Sequence, residues 1–324
     1  MTRIISPRPP VPFPHPVLVS GTGTRTPAGG SFTPLQHFSF DTFTTGAAAA
    51  FGQELYSTID TNGSNTGSII QTTVHRTTKS KAAQLRIAAG TSGFPADGET
   101  PAANGFWGFS LAPPSSAGSN KYGAQGYYHH LGMWMYIPSA SNLATTSLTD
   151  GALKFLLNCF PQAVTTAKDD IHICGTSGFA FVKELDNTAT FSFPSTRSGT
   201  ETSYPVDAWF WLERLSYLHS SGAEGITRLW INNVLIMESV GTAHKWRHAD
   251  GSYGSLTLNG QGNKTLPNST TQMESIFIFS YWNAHPAANQ TLYMDDITTW
   301  TGVNNSTLPA VDAFGNRMIG SAQF

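Results

Sequence analysis

The sequence predicts an all-β protein, a two-sheet antiparallel β-sandwich of jelly-roll type with an extended Pro-rich N-terminal arm. Three observations lead to this prediction. Residues 206–238 have the pattern of a strand, a loop and a tight hairpin; short apolar runs between polar loops recur along the 324 residues; and no long segment has the period of a helix. The length suits one large β domain with extensions, or two domains.

The stretch at residues 206–238 is the most informative part of the chain. It begins with the aromatic-rich run WFWLERLSYL at 209–218, which suits a strand covered on both faces and is too short to span a membrane. After a loop rich in Ser and Gly, two apolar runs flank Asn232 and Asn233. Because asparagine tolerates the positive φ of a two-residue hairpin turn, this pair predicts a tight hairpin.

The other strands are predicted from apolar runs that end at Gly, Pro or polar clusters. In chain order we expect them at residues 35–43, 69–74, 83–87, 127–137, 153–160, 171–174, 179–182, 188–193, 275–282 and 291–300, with one short strand near 106–109 inside a loop of residues 90–122. Residues 47–50 are expected to form a turn or a short helical piece. Residues 241–272 are expected to form a long polar loop.

Three regions are predicted along the chain: an arm at residues 1–35, the sandwich domain at 36–302 and a polar C-terminal tail at 303–324. Six prolines between positions 7 and 16 favour extended polyproline geometry and cannot donate to a sheet ladder. Such an arm is disordered in isolation. We therefore expect residues 1–35 to be held by this domain, by a sister subunit or by another protein.

The composition restricts the class of protein. Only 12% of residues are charged and the net charge is −2, so there is no electrostatic basis for binding nucleic acid or an anionic membrane. Solubility from Ser, Thr, Asn, Gln and Gly is typical of secreted proteins and virion surfaces. Proline interrupts every apolar run near the N-terminus, which argues against a signal peptide and against membrane insertion. These features favour a bacteriophage virion component, made in the host cytoplasm and released by lysis.

The two cysteines, Cys159 and Cys174, each lie in an apolar run. Buried free thiols are the favoured interpretation, and a disulfide is the alternative if their strands are neighbours.

The order of several short motifs resembles a known superfamily. FSFD at 38–41 is followed by WMYIP at 134–138, WFWLE at 209–213, RLWINNV at 228–234 and YMDDI at 293–297. This series is similar to the concanavalin A-like lectin/glucanase jelly roll, which includes laminin-G-type domains, polysaccharide lyases and carbohydrate-binding modules. The resemblance covers roughly residues 35–302, and each motif alone is loose.

The resemblance implies a structural calcium ion. In that superfamily an aspartate of the last strand often holds calcium together with residues of the first strand. The matching positions are Asp295 or Asp296, with Asp41 opposite them, and carboxylate oxygens suit calcium. A salt bridge to arginine, or a hydrogen bond to the backbone, is the alternative role for these carboxylates.

No complete catalytic motif is present. The glucanase branch places two glutamates around an aspartate, and no ExDxE or ExDxxE pattern occurs. Where the alginate-lyase branch has QIH, this chain has Asp170, Ile171 and His172, and the arginine–glutamate strand has no counterpart. A lyase needs a base and a charge neutraliser. Candidates for these roles are His129, His130, Tyr127, Tyr128, His172 and Arg214.

The aromatic residues are the candidate binding surface. Five of them lie in predicted strands whose faces are both apolar: Trp209, Trp211, Trp230, Tyr281 and Trp282. One face is expected to be the core. The other is a sugar-stacking platform, a subunit interface or the underside of the arm. Trp107 and Trp246 lie in predicted loops, where contact with a sugar or a partner is expected.

The favoured function is that of a non-catalytic bacteriophage structural protein, either a capsid decoration or cement protein or a tail or head fibre component. Its arm would grip major capsid or tail proteins, the protein would be a homo-oligomer, and exposed loops would adhere to host glycans. The alternatives are an extracellular polysaccharide lyase and a carbohydrate-binding module.

Overall fold

The computed structural model describes residues 32–43, 45–47, 55–58, 68–87, 108–114, 121–141, 153–159, 167–174, 178–185, 188–193, 204–257, 262–282 and 290–323. These residues contain twenty strands and short 3₁₀ turns. The strands in chain order are β1 Gln36–Phe38, β2 Gly46–Ala47, β3 Leu55–Thr58, β4 Ser68–Gln71, β5 Ala82–Ile87, β6 Gly108–Leu111, β7 Tyr128–Tyr136, β8 Leu153–Cys159, β9 Ala167–Cys174, β10 Gly178–Leu185, β11 Thr188–Phe193, β12 Trp209–Tyr217, β13 Ile226–Ile231, β14 Val234–Val240, β15 Ala243–Arg247, β16 Tyr253–Thr257, β17 Ser275–Trp282, β18 Gln290–Gly302, β19 Ala310–Val311 and β20 Arg317–Met318. The 3₁₀ turns are Phe40–Thr42, Ser139–Ser141, Asn305–Thr307 and Ser321–Gln323.

Two antiparallel sheets form the sandwich, which confirms the predicted fold class. The larger sheet has eleven strands, in the order β16-β15-β14-β13-β12-β7-β18-β5-β4-β2, with β1 also paired to β18. The smaller sheet has seven, in the order β11-β10-β9-β8-β17-β6-β3. The chain passes repeatedly from one sheet to the other, for example from β5 to β6, back to β7 and across again to β8. This crossing is what a jelly roll requires.

The main hydrophobic core lies between the two sheets. From the larger sheet it contains Leu85, Leu131, Met133, Met135, Phe210 and Leu212, and from the smaller sheet Leu111, Phe155, Leu156, Ile276 and Ile278. Each of these side chains is 1% exposed or less. At about 1.5–3 kcal/mol per buried large apolar side chain, this contact is the main force that holds the sheets together.

The predicted hairpin at Asn232 and Asn233 is confirmed. The two residues join β13 to β14 and have φ of +49° and +67°, as a type I′ turn requires. The Asn232 side chain also accepts a hydrogen bond from the backbone N–H of Trp211 at 2.9 Å. The turn therefore ties the hairpin to β12.

Some local predictions were wrong. Residues 241–272 are not one polar loop, because β15 and β16 continue the edge of the larger sheet within them. The expected first strand at 35–43 contains only the three residues of β1, followed by the turn Phe40–Thr42. Residues 46–47 form β2. Polar residues on a solvent-facing edge strand hide the apolar alternation on which the prediction depended.

Residues 303–323, here called the C-terminal strap, do not extend away from the domain. They form the hairpin β19–β20 and lie on the face of the larger sheet that is turned away from the smaller sheet. Leu308, Met318 and Ile319 are 1% exposed or less. The expected polar tail is therefore part of the packed structure.

Both ends of the described chain approach this face. Phe32 packs partly buried against the strap cluster, and the Leu35 backbone N–H donates to the Thr299 carbonyl at 2.8 Å. Residues 1–31 of the predicted arm lie outside the described residues. The described residues include no helix long and apolar enough to cross a membrane.

The backbone register separates the two cysteines. Strands β8 and β9 are neighbours, but Leu153 lies opposite Ile173 and Leu157 opposite Asp170. Cys159 and Cys174 are therefore at opposite ends of the pair, about six residues or ~20 Å apart. This spacing is too long for a disulfide and agrees with two separate thiols.

Candidate functional site

Two of the candidate lyase residues, His129 and Arg214, are enclosed between the sheets. Both are 0% exposed. Arg214 donates from Nη2 to Oδ1 of Asn158 on the opposite sheet, and Asn158 donates to Ser216 Oγ at 3.3 Å. Burial, followed by the nearby positive charge of Arg214, holds the pKa of His129 well below its ordinary value. This pair braces the core and cannot reach a substrate, which corrects the predicted role.

His130 lies on the opposite face of the same sheet. Its Nδ1 is 2.9 Å from Oε1 of Glu213, and both residues are 0% exposed. The imidazole is stacked at 13° on Trp230 and meets Trp300 edge-on, with ring centroids 6.4 and 5.8 Å apart. The C-terminal strap covers this dyad, so His130 is not an accessible base either.

The C-terminal strap covers the outer face of the aromatic strands β12 and β13. Trp211 packs with Leu308 and Ile319, and Trp230 packs with Met318; both indoles are 0% exposed. In this arrangement neither Trp211 nor Trp230 is exposed to a sugar or a partner, and their predicted binding role stays a prediction. Among the described residues the cover is the C-terminal strap, with Phe32 beside it.

The other aromatic candidates have varied positions. Trp209 is partly buried at the start of β12, tilted against Tyr136 with ring centroids 5.7 Å apart. Trp246 lies in strand β15 and packs against the main core, so its placement in a loop was wrong. The Tyr128 ring is tilted at 39° against the Tyr217 ring, and Tyr127 is half-buried against the core. Trp107 lies outside the described residues, and Tyr281 and Trp282 are described by their backbone positions in β17.

Two of the three aspartates of the expected calcium site, Asp41 and Asp296, are bound by protein groups. Asp41 Oδ1 accepts hydrogen bonds from the backbone N–H groups of Ser80 and Lys81, at 2.7 and 3.0 Å. The carboxylate of Asp296, which is 0% exposed, forms ion pairs with Arg76 and with Lys79, whose Nζ lies 2.9 Å from Oδ1.

These carboxylates do not fit a calcium ion as they are placed. Two cationic side chains on Asp296 supply the positive charge that calcium would supply. Among the described residues there is also no group of three or more His, Cys, Asp or Glu that could hold a metal. The arrangement at Asp296 matches the salt-bridge alternative, and calcium binding stays a prediction.

The smaller sheet brings three chemically active residue types into one row. In the backbone register Tyr281 of β17 lies opposite Lys154 of β8, and Lys154 lies opposite His172 of β9. Directly paired positions in an antiparallel sheet share a face and are about 5 Å apart. Tyr281, Lys154 and His172 therefore occupy neighbouring positions on three adjacent strands.

This row, here called the Tyr–Lys–His row, is on the outer face of the smaller sheet. Ile171 lies opposite Leu156, which is buried in the core between the sheets. Successive residues of a strand alternate between faces, so His172 is placed on the face turned away from the core. Lys154 and Tyr281 share this face through their register with His172.

Two irregularities of the sheet meet at the row. The register shifts between Lys154 and Leu156 in β8, and between Ile278 and Tyr281 in β17. Phe155 and Leu156 are consecutive and both 0% exposed, as expected where a bulge interrupts alternation. Bulges occur frequently beside active sites, where they re-aim side chains. The row therefore has the local backbone geometry of a candidate site.

A neighbouring row adds a carboxyl position to the same face. Asp170 of β9 lies opposite Leu157 and Val182, and it is two residues from His172 on the same strand. Of the sequence candidates, His172 and Tyr281 are thus brought together. Lys154 was missed, because nothing in the run LKFLLNC marks a lysine as functional before the pairing of β8, β9 and β17 is known.

No protein-family model matches the chain, and no curated protein sequence matches it. Several solved structures are similar. A marine PL-14 alginate lyase from Aplysia kurodai has 9% identity and a TM-score of 0.48, covering 84% of this chain and 100% of that chain. An endo-β-1,4-glucuronan lyase from the fungus Trichoderma reesei has 8% identity and a TM-score of 0.46, covering 82% and 95%. The catalytic domain of the glycoside hydrolase family 131 protein from Coprinopsis cinerea has 11% identity and a TM-score of 0.43, covering 87% and 99%. Similarity this weak does not indicate a shared activity.

Proposed function

We propose that the outer face of the smaller sheet binds an acidic polysaccharide and cleaves it by β-elimination at a uronate residue. The Tyr–Lys–His row carries this proposal. An elimination needs a base, an acid and a positive charge beside the substrate carboxylate, and these three residue types supply all of them on adjacent strands.

The chemistry assigns one role to each member of the row. His172 takes the C5 proton of the uronate, and the Lys154 ammonium stabilises the negative charge that develops on its carboxylate. Tyr281 gives its proton to the glycosidic oxygen as the C4–O bond breaks and the C4–C5 double bond forms. One proton is taken and one is given, so no metal or oxidant is needed.

The test uses the full chain with soluble polyuronides, alginate among them, and a neutral β-glucan as the comparison substrate. The unsaturated product is followed by its ultraviolet absorbance. Lys154→Ala and Tyr281→Phe are each expected to lower the rate by roughly a hundredfold, the usual contribution of a positioned charge for Lys154 and of a positioned acid for Tyr281. Lys121→Ala is the matched control, since Lys121 pairs with Glu274 at a distance from the row.

A non-catalytic glycan-binding protein is the second candidate, and the same face supports it. It predicts that polyuronides bind to the wild type and bind more weakly to Lys154→Ala, with no unsaturated product. Absence of both binding and turnover across the polyuronides would reject both candidates. Equal rates for the wild type and both row variants would reject the assigned roles.

The bacteriophage virion role remains a separate proposal. It depends on the composition and on arm residues 1–31, which lie outside the described residues. It is compatible with glycan binding, since a virion surface protein meets host polysaccharides. Electron microscopy of purified virions labelled with an antibody to this chain would test it, and absence of the protein from virions would refute it.

A further inference from the structure

The C-terminal strap contacts the larger sheet in the way that a bound peptide contacts a protein domain. In the described chain its ladder pairing is confined to its own hairpin β19–β20, so no main-sheet strand pairs with it. Its first residue, Val303, directly follows β18 and is 66% exposed. The segment therefore combines its own local fold with an exposed tether.

Specific groups of the larger sheet recognise the strap. The Glu213 carboxylate accepts hydrogen bonds from the backbone N–H groups of Ile319 and Gly320, at 2.7 and 2.9 Å. The hairpin residue Asn233 forms two hydrogen bonds with Ser321, each 3.0 Å long. A buried carboxylate that binds successive backbone N–H groups makes strong, charge-assisted hydrogen bonds.

Apolar anchors and one side-chain hydrogen bond complete the recognition. Leu308 and Ile319 pack on Trp211, while Met318 packs on Trp230. The Trp230 indole N–H donates to Asp312 Oδ2 at 2.8 Å. Buried aromatic anchors surrounded by satisfied polar contacts are the usual pattern of a binding hot spot.

The contact with the strap leaves two buried polar atoms of the larger sheet unsatisfied in the described part of the chain. On the covered face, His130 Nε2 and Trp134 Nε1 are buried and make no hydrogen bond to the described residues. A buried polar atom without a hydrogen bond destabilises the contact in which it lies. Because the strap has no ladder pairing with either main sheet in the described residues, it can open without breaking a sheet ladder.

We propose that the tryptophan-lined face of the larger sheet is a peptide-docking groove, and that the strap of a second copy of this chain can dock in it. In a single chain the tether holds the strap at an effective concentration in the millimolar range, which favours its own groove. When the domain's own strap is displaced, a strap from another copy makes the same contacts, and the copies become linked. This inference does not depend on the proposed enzymatic function.

A mixing experiment with two full-length variants tests the exchange. The first, Leu308→Asp with Ile319→Asp, has a defective strap and an intact groove. The second, Glu213→Gln with Asn233→Ala, has an intact strap and a defective groove. Each alone is expected to elute as a monomer in size-exclusion chromatography with light scattering, and an equimolar mixture is expected to form a one-to-one dimer.

Controls connect the dimer to the named contacts. Adding Glu213→Gln to the first variant should weaken the mixed dimer roughly tenfold or more, because two charge-assisted hydrogen bonds are lost. Adding Glu274→Gln, the same substitution at a half-exposed site on another part of the chain, should leave the dimer unchanged. Two cooperatively folded variants that remain monomeric when mixed would overturn the proposal.

A second measurement covers the case in which either variant fails to fold. A protease site is inserted after Val303 in the otherwise unchanged chain, and the folded protein is cut there. We expect the cut strap to stay bound and to exchange with an excess of fluorescent synthetic peptide of residues 303–324. Loss of the strap without binding of the peptide, or collapse of the domain on cutting, would overturn the proposal.

Discussion

The replacement of Asp295 by Asn should change how stability depends on pH. Asp295 is 0% exposed, its Oδ1 accepts the backbone N–H of Asp296 at 2.8 Å, and its Oδ2 has no hydrogen-bond partner among the described residues. Burial, followed by the charge of Asp296, raises the pKa of Asp295 from 3.8 to about 6. The folded protein therefore binds this proton more tightly than the unfolded chain does.

The sign and the size of the effect follow from this shift. Since the folded-state pKa lies above the unfolded value, the stability contributed by the protonated carboxyl is complete below the unfolded pKa and is lost as pH rises through about 6. A shift of roughly two pKa units corresponds to about 3 kcal/mol at neutral pH. Asparagine at position 295 would keep the shape of the neutral acid. The free energy of unfolding of the Asp295→Asn variant should therefore not fall in this way as pH rises.

Urea denaturation followed by tryptophan fluorescence, from about pH 4 to about pH 8, measures the difference between variant and wild type. As pH rises across this range, we expect the free energy of unfolding of the variant to increase by up to about 3 kcal/mol relative to that of the wild type. A constant difference at every pH would refute the assignment to Asp295.

Asp296→Asn is the matched control: asparagine accepts the φ of +48° at this position, but Arg76 and Lys79 lose their counter-charge. That variant should be destabilised by roughly 1–3 kcal/mol.

Three further predictions test other parts of the structure. Gly132→Ala should destabilise the fold by about 1–3 kcal/mol in urea, because a β-carbon there would overlap the Trp211 indole; an unchanged midpoint would disprove this packing. Burial lowers the pKa of His244 from 6.5 to about 4. The free energy of unfolding of the wild type should therefore fall by up to about 3 kcal/mol as pH drops between these values, and that of His244→Gln should not. Parallel pH dependences of the two proteins would contradict this prediction. Calcium or EDTA should leave the melting temperature unchanged, since Arg76 and Lys79 already neutralise Asp296. A rise in the melting temperature on addition of calcium would contradict this and support a calcium site.

The elements that could be predicted from the sequence are those with a local cause. The type I′ turn at Asn232 and Asn233 follows from the backbone freedom of asparagine, and the structure places both residues at positive φ. The core strand β7 was predicted almost to the residue because its apolar residues are dense. Strands β15 and β16 were missed because their exposed faces carry polar side chains. A local sequence pattern reveals the buried positions of a strand, and strands near the edge of a sheet have few buried positions.

The same distinction explains what could be foreseen about the candidate sites. The run at 209–218 correctly indicated a strand with both faces covered, but a covered face does not identify its cover. The covering segment looked like a polar tail because Leu308, Met318 and Ile319 supply its few anchors, while much of the rest of its contact is hydrogen bonding.

The Tyr–Lys–His row was hidden for a related reason. Its three members come from strands whose register is altered by two bulges, and a bulge moves a residue from one face to the other. Alternation counted from Leu156 without the bulge would place Lys154 on the inward face of β8, the same face as Asn158. With the bulge at Phe155, Lys154 and His172 share the outer face. The position of one extra residue in β8 therefore decides on which face of the smaller sheet Lys154 is placed.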